Sequence, residues 1–363
     1  MRLNQIISAG YPKMTAYVSV TDENGRPAEV RPEQFAAYVD DVKVRGPISV
    51  KAASLSTEGT AYAVIISANG MNSGPPLFNQ QFATKKLLDA LSPSDVVSVF
   101  FHGSEVKAVF EYQPMEEQKG PLRAVIDKEI EAKGSQPQIY DAVVKAAGNL
   151  EKSNKTRKVI VLMSDGRDAK SNYTQEEMFQ IIEKVNIPVY CIGFTAFGEG
   201  SLDILETIAR YTGGLYTLAR DVKDIPDAMM KIYDQINRVF VLSFKDNKLF
   251  FAGDDKPHLL KITVEDHSGT VHSYDRKFVA VSAPVPIWLI AVAALACLLI
   301  VALVVFLFIL RRRAVRRTIG ISNRKCEVCG RRMKDDWDAC LFCKWLPPPA
   351  AKKKPELSEA PKP

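Results

Sequence analysis

Histidine is scarce in this sequence, with four residues in 363, and cysteine scarcely commoner, with six. His102, His258, His267 and His272 share no metal-ligand spacing and stand where strands and turns are expected. Cys191 is the only cysteine ahead of the apolar run that begins at residue 287, so no intramolecular disulfide framework holds the main body. Catalytic signatures are missing as well. There is no GxxxxGK[ST], no GxGxxG after the first strand of the main body and no GxSxG. These absences disfavour an enzyme. With 47% hydrophobic and 25% charged residues, the chain is neither disordered, collagen-like nor a small disulfide scaffold, and its length suffices for two or three domains.

The formal charge of +6 is unevenly spread. Residues 311–363 hold 15 Lys/Arg against 6 Asp/Glu, leaving 33 against 36 in residues 1–310. The main body is therefore slightly acidic, and nucleic-acid binding is not expected of it. Between these parts, residues 287–310 read IWLIAVAALACLLIVALVVFLFIL, 24 residues without a charge. A helix of that length spans about 36 Å, enough for a hydrocarbon core of about 30 Å with some tilt. Pro284 and Pro286 break the preceding strand, and Trp288 suits an interfacial anchor. Arg311, Arg312, Arg313, Arg316 and Arg317 follow at once, whereas the upstream flank offers Arg276 and Lys277. The positive-inside rule places residues 311–363 in the cytoplasm and 1–283 outside, periplasmic or extracellular, in a single-pass arrangement. The start, MRLNQIISAGYPKM, has no apolar core of signal-peptide length, so a signal sequence is expected to have been removed or missed.

Residues 58–236 alternate between two periodicities. Strand-like runs cover 60–67, 95–102, 106–112, 157–164, 187–194 and 214–219, and amphipathic stretches cover 77–91, 120–133, 139–151, 174–185, 201–211 and 224–237. That order predicts an α/β domain, a mostly parallel sheet covered by helices on both faces. The flanks, 11–57 and 237–283, read as short strands with turns at Asp22–Gly25 and Asp266–Gly269. Each is too short to bury a core alone, so together they are expected to form one antiparallel β-sandwich into which the α/β domain is inserted.

The C-terminal region carries the most specific spacing. Cys326-x2-Cys329 is followed ten residues later by Cys340-x2-Cys343. Paired CxxC steps supply four thiolates to one tetrahedral Zn²⁺, a closed structural site; redox pairs or an iron–sulfur centre are the alternatives. Gly330 suits the turn after the second ligand, and Trp337 and Phe342 are expected to complete a small apolar core in this zinc ribbon, residues 325–346. Cys191 is expected to be a buried core residue, and Cys297 to face lipid or a partner helix. The basic juxtamembrane segment 311–324 fits anionic lipid near Arg311–Arg317, and 347–363 is a Pro/Lys-rich tail expected to be disordered.

Four segments in this order resemble a von Willebrand factor type A (vWA) domain. AYAVIISANGMN stands where that family has a first strand ending in DxSxS, and GSQPQIYDAV where it has GGTxLYDAL. IVLMSDGRD is similar to the strand ending in TDG, and LETIARYTGGLYTLA to the late helix, Gly-Gly turn and last strand. The resemblance implies a doubly wound sheet with a divalent-ion adhesion site, built from the DxSxS residues, a threonine and the TDG aspartate, at the carboxyl ends of its strands. Here Ser67 stands for the first aspartate, Asn69 and Met71 for the serines, and Pro137 or Gln136 for the threonine. Asp165 is kept, with Asp168 nearby. Too few anionic oxygens remain for tight Mg²⁺ binding. The expectation is a bacterial, membrane-anchored scaffold subunit of a complex, docking a protein partner through loops 67–76, 134–139 and 165–173 without an ion. A Mg²⁺-dependent adhesin or receptor, signalling across the membrane, is the alternative.

Overall fold

The computed structural model describes residues 1–21, 28, 30–53, 58–116, 119–195, 201–247, 256–266, 268–280, 287–318, 324–333 and 337–346. Residues 1–284 form one compact unit and 285–363 a second.

At the centre of the first unit is a six-stranded sheet of β6 (Thr60–Ser67), β7 (Val96–His102), β8 (Val106–Pro114), β9 (Arg157–Ser164), β10 (Val189–Phe194) and β11 (Tyr216–Ala219). Its order is β11-β10-β9-β6-β7-β8, parallel throughout except for β8, which runs antiparallel to β7. All eight residues of β6 are buried, as a central strand covered on both faces requires. One face packs on α1 (Pro75–Ala90), α2 (Lys119–Glu129) and α6 (Ile225–Asn237) through Val64, Ile66, Val161 and Ile192. The other packs on α3 (Ile139–Glu151), α4 (Gln175–Val185) and α5 (Asp203–Thr212) through Ala63, Ile65, Leu162 and Cys191. The chain winds outward from β6 to β7 and β8, then returns to β9 on the other side of β6. The order therefore reverses between β6 and β9, and a crevice opens beyond their carboxyl ends.

Two four-stranded antiparallel sheets make the sandwich. Preceding the α/β body are β1 (Arg2–Gly10), β2 (Lys13–Ser19), β3 (Phe35–Val39), β4 (Val42–Lys43) and β5 (Ser49–Ala52); following it are β12 (Phe240–Lys245), β13 (Pro257–Glu265) and β14 (Val271–Val279). The orders are β1-β2-β12-β5 and β14-β13-β3-β4. A strand from beyond the α/β body thus sits between two strands from ahead of it, with Leu242 opposite Ala16 on one side and Val50 on the other. Leu3, Ala16, Phe35, Val39, Leu242, Leu260 and Ile262 share one core. The sandwich also takes in β1, upstream of residue 11 where the flank is expected to begin. Of the two expected turns, Asp22–Gly25 lies outside the described residues, and at the other Asp266 accepts the Ser268 and Thr270 amides. Sandwich and α/β body meet through Arg157, whose guanidinium lies 5.3 Å from the centre of the Tyr17 ring and donates to the Ile236 carbonyl.

In the second unit, α7 runs from Ile287 to Thr318, and its stretch Ile290–Arg312 has a mean hydropathy of 3.3. Among the described residues it is the one helix long and apolar enough to cross a membrane. Residues 347–363 lie outside the described part.

Candidate functional site

The crevice at the β6/β9 reversal is walled by three loops stitched together through their backbones. The Gly70 amide donates to the Gly134 carbonyl (2.6 Å), Lys133 to Ala68 (2.9 Å) and Ala169 to Pro137 (2.8 Å). Gly166 follows Asp165 with φ of +78°, and a Cβ there would lie 2.0 Å from the Ser201 carbonyl oxygen. Only glycine permits that turn. It aims Asp165 back over the end of β6.

Asp165, only 5% exposed, is the carboxylate on which Asn69 and Arg167 converge, and Asp168 and Asp203 line the cleft beside it. Its Oδ2 accepts from Asn69 Nδ2 (3.4 Å), from Arg167 Nε (3.0 Å) and from Arg167 Nη2. Asn69 Nδ2 also reaches Ser67 Oγ (3.2 Å), which accepts from Asn72 Nδ2 as well (3.0 Å). The other end of Asn69 is committed too, since Oδ1 accepts the Met71 amide at 3.0 Å. Gln80, fully buried on α1, holds the Ser67 backbone on both sides: Oε1 accepts its amide (2.9 Å) and Nε2 donates to its carbonyl (3.0 Å). Arg167 completes the cluster by laying Nη1 on Met71 Sδ. Ser67, Asn69, Met71 and Asp165 therefore do come together, and Pro137 lines the same cleft of about 490 Å³ with Tyr140, Asp168 and Ser201. Gln136 is not among the lining residues.

Asp168 has a different task from assisting Asp165. Its Oδ1 accepts the Ile139 amide (2.6 Å), the Tyr140 amide (3.4 Å) and Ser171 Oγ (2.6 Å), so it caps the N-terminus of α3. His102 ends β7 as a fully buried ring below the crevice. Burial pushes its pKa down to about 4 against the opposing pull of Asp165 and Asp168. Nδ1 accepts the Gln138 amide (3.3 Å), which leaves the proton on Nε2, a buried atom without a protein partner among the described residues. His258 and His272 lie elsewhere, paired with Asp40 and Asp266 in the sandwich. His267 is outside the described residues. Cys191 is fully buried and its thiol pKa is raised by burial, as a core residue should be. Sequence reasoning passed over Arg167, Asn72 and Gln80. The arginine two residues after the retained aspartate was the available signal.

The second cluster is in the C-terminal unit. The sulfurs of Cys326, Cys329, Cys340 and Cys343 lie within 4.8 Å of one another, with Cys326–Cys343 at 3.5 Å and Cys329–Cys340 at 3.6 Å. Zn–S bonds of about 2.3 Å set tetrahedron edges at about 3.8 Å, so four thiolates at these spacings fit a zinc ribbon. The two halves repeat one backbone pattern. Cys326 N donates to Arg331 O and Gly330 N to Cys326 O; Cys340 N donates to Trp345 O and Lys344 N to Cys340 O. Gly330 and Lys344 take matching left-handed conformations, φ +67° and +59°. Backbone amides of Cys343 and Phe342 lower the Cys340 thiol pKa, while crowding by the other thiols raises that of Cys343, so the four sulfurs cannot all ionise together without a cation among them. The core differs from expectation in one member. Met333, Trp337 and Trp345 pack on Cys326 and Cys340, whereas Phe342 is largely exposed.

Residues 75–231 match the family model described as the von Willebrand factor type A domain. The match begins downstream of Ser67, Asn69 and Met71. No curated protein sequence matches the chain significantly. Among solved structures, the chain is similar to a von Willebrand factor type A protein from Catenulispora acidiphila at 12% identity and TM-score 0.45, covering 78% of this chain and 74% of that one. An aerotolerance-related membrane protein from Bacteroides fragilis matches at 13% identity and TM-score 0.39, over 49% of this chain and 99% of its own. The vWF domain of the type V pilus tip protein Mfa5 from Porphyromonas gingivalis matches at 10% and 0.41, over 50% and 96%. The α/β body of this chain is a von Willebrand factor type A domain, set in a β-sandwich and followed by one apolar helix and a four-cysteine module.

Proposed function

We propose that the chain is a non-enzymatic, membrane-anchored docking subunit whose vWA crevice binds a protein partner without a divalent ion. One observation carries this reading: the Arg167 guanidinium already sits on Asp165. The residues do not fit the ion the family implies. Mg²⁺ requires hard oxygen ligands in near-octahedral array. Ser67 is uncharged and already accepts two amide N–H groups; Asn69 turns a donor, not an oxygen, towards Asp165; Met71 offers a thioether and Pro137 no hydroxyl. Asp165, the family carboxylate that is kept, is paired from within the chain by Arg167. What the crevice presents to a partner is Met71, Tyr140, Arg167 and Ser201 with Asp168 and the exposed Asp203 at its side, a mixed apolar, hydrogen-bonding and charged surface.

The remaining assignments follow the charge and cysteine patterns. Residues 58–236 are the vWA domain, 11–57 and 237–283 with β1 the sandwich, 287–310 the membrane span and 325–346 a ribbon closed by structural Zn²⁺. Residues 1–283 face outward and 311–363 the cytoplasm, with Arg311–Arg317 against anionic lipid. The test is affinity capture from solubilised native membranes with residues 1–284, which form a compact unit lacking the four-cysteine module. A partner held equally in Mg²⁺ and in EDTA, and lost on Arg167→Glu, is the expected result. Release by EDTA, with the partner itself ion-independent, overturns the reading.

A further inference from the structure

The four-cysteine module is small, and its apolar surface is distributed oddly. Its interior takes Cys326, Met333 and Cys340 with two tryptophans against them. Outside stand Leu346 (70% exposed), at the end of the described segment, and, within the metal-binding turns, Val328 (64%), Leu341 (69%) and Phe342 (58%). The three in the turns are not scattered. Val328 lies between Cys326 and Cys329, while Leu341 and Phe342 are both residues between Cys340 and Cys343, so each metal-binding turn carries apolar side chains at its tip. Inside a module this small such residues would enlarge the core, yet the fold turns them outward.

Among the described residues the surface around the tips is mainly basic, with Glu327 and Asp338 the exposed acids. Lys325, Arg331, Arg332 and Lys344 are exposed, and the Arg331 guanidinium lies 4.6 Å from the centre of the Phe342 ring. Position adds the second argument. Five residues separate the end of α7 at Thr318 from Arg324, so a fully extended connection reaches about 20 Å at most. If α7 crosses a bilayer, the module cannot leave the neighbourhood of that leaflet, and its local concentration at the surface is of millimolar order.

We propose that the zinc ribbon is a second membrane contact: Val328, Leu341 and Phe342 enter the headgroup layer of the leaflet where α7 emerges, and Lys325, Arg331, Arg332 and Lys344 hold anionic lipid headgroups. Apolar tips flanked by cations are the composition that interfacial binding requires, and a single weak contact suffices because the span already supplies the anchor. The proposal rests on α7 being a membrane span and on the ribbon being closed by zinc.

The test places a photoreactive benzoylphenylalanine at Phe342 of the full chain and, in a separate variant, at Val301 within α7. Each is reconstituted in vesicles of phosphatidylcholine with about one-third phosphatidylglycerol, or of phosphatidylcholine alone, irradiated and analysed by mass spectrometry. Zinc content is measured first, so that only folded ribbon is compared. Lipid adducts at both positions are expected, with the yield at 342, unlike that at 301, falling about five-fold for each of Arg331→Gln and Lys344→Gln. Lipid adducts at 301 with none at 342 overturn the proposal, as does a protein adduct at 342 in native membranes. Absence of lipid adducts at 301 overturns the membrane span beneath it, a separate failure. A chain that is reconstituted with α7 crosslinked to lipid but holds no zinc refutes the closed ribbon.

Discussion

Arg167 is the residue on which the ion-independent reading stands or falls. Substitution by alanine removes the Nε and Nη2 hydrogen bonds to Asp165 and leaves the carboxylate, 5% exposed, with the Asn69 side-chain amide and the backbone amide of residue 167, each at 3.4 Å. Breaking a fully buried pair costs about 3–5 kcal/mol. The guanidinium is 34% exposed, so solvent screening reduces that to about 1–3 kcal/mol, or a few degrees in Tm. The informative experiment is a pair of multiple variants. Ser67→Asp, Asn69→Ser, Met71→Ser and Pro137→Thr restore the family's oxygen donors while leaving Arg167 in place, and thermal unfolding is followed with and without Mg²⁺. No Mg²⁺ dependence is expected, because the guanidinium still covers Asp165. Adding Arg167→Ala to the same four should create it. With Mg²⁺ at about a hundred times its Kd the gain is about 2.7 kcal/mol, which in a unit of this size raises Tm by about 4–5 °C. A Mg²⁺ shift in the four-substitution variant refutes the blocking role of Arg167. No shift in the five-substitution variant refutes the placement of these residues at an ion site.

Three further outcomes follow from the buried groups. His102 is neutral when folded, with its pKa lowered from 6.5 to about 4, so the unfolded chain binds the extra proton first; stability is full above pH 6.5 and falls as pH drops towards 4, by about 3 kcal/mol, and denaturant titrations should lose that increment in His102→Gln. Cys340→Ser, or a zinc chelator, should abolish metal binding and unfold the ribbon while leaving the unfolding temperature of residues 1–284 unchanged, as followed by calorimetry. Leu242→Ala, in the strand that bridges β2 and β5, should cost about 2–5 kcal/mol in chemical denaturation and lower protection from hydrogen exchange in both flanks together; protection lost from one flank alone would argue against a shared core.

The α/β alternation was legible because a buried parallel sheet leaves an unmistakable residue pattern: Thr60–Ser67 is buried at every position, and the helices between strands keep one apolar face. β1 was not legible, and the reason is chemical. Asn4 and Gln5 are buried in it, Asn4 donating to the Gly213 carbonyl and Gln5 accepting the Lys158 amide, so the strand meets the α/β body with amides that read as exposed in the sequence. The same holds at the crevice. The loss of carboxylates at Ser67 could be read from spacing, but the replacement cation could not, since Arg167 acquires its role only when Gly166 turns the chain back over β6. Phe342 failed in the opposite sense. An aromatic residue beside a metal ligand suggests a core, yet the two residues inside a CxxC turn are held at its apex, where the backbone bonds from Cys340 to Trp345 and Lys344 face them outward.

A cation tethered to the chain behaves differently from one taken from solution. An ion site built from several carboxylates is a switch, because like charges held within a few ångströms repel until a divalent ion arrives and order the surrounding loops when it does. Arg167 removes that dependence. Its charge is covalently fixed two residues from Asp165 and is already paired in the free protein. The loops around it are tied through Gly70–Gly134, Lys133–Ala68 and Ala169–Pro137 without the ion's help. The crevice is thus organised before a partner arrives, so little ordering entropy opposes binding and the interaction should be indifferent to the divalent-ion concentration. Such a surface suits a permanent subunit of an assembly better than an adhesin that engages and releases.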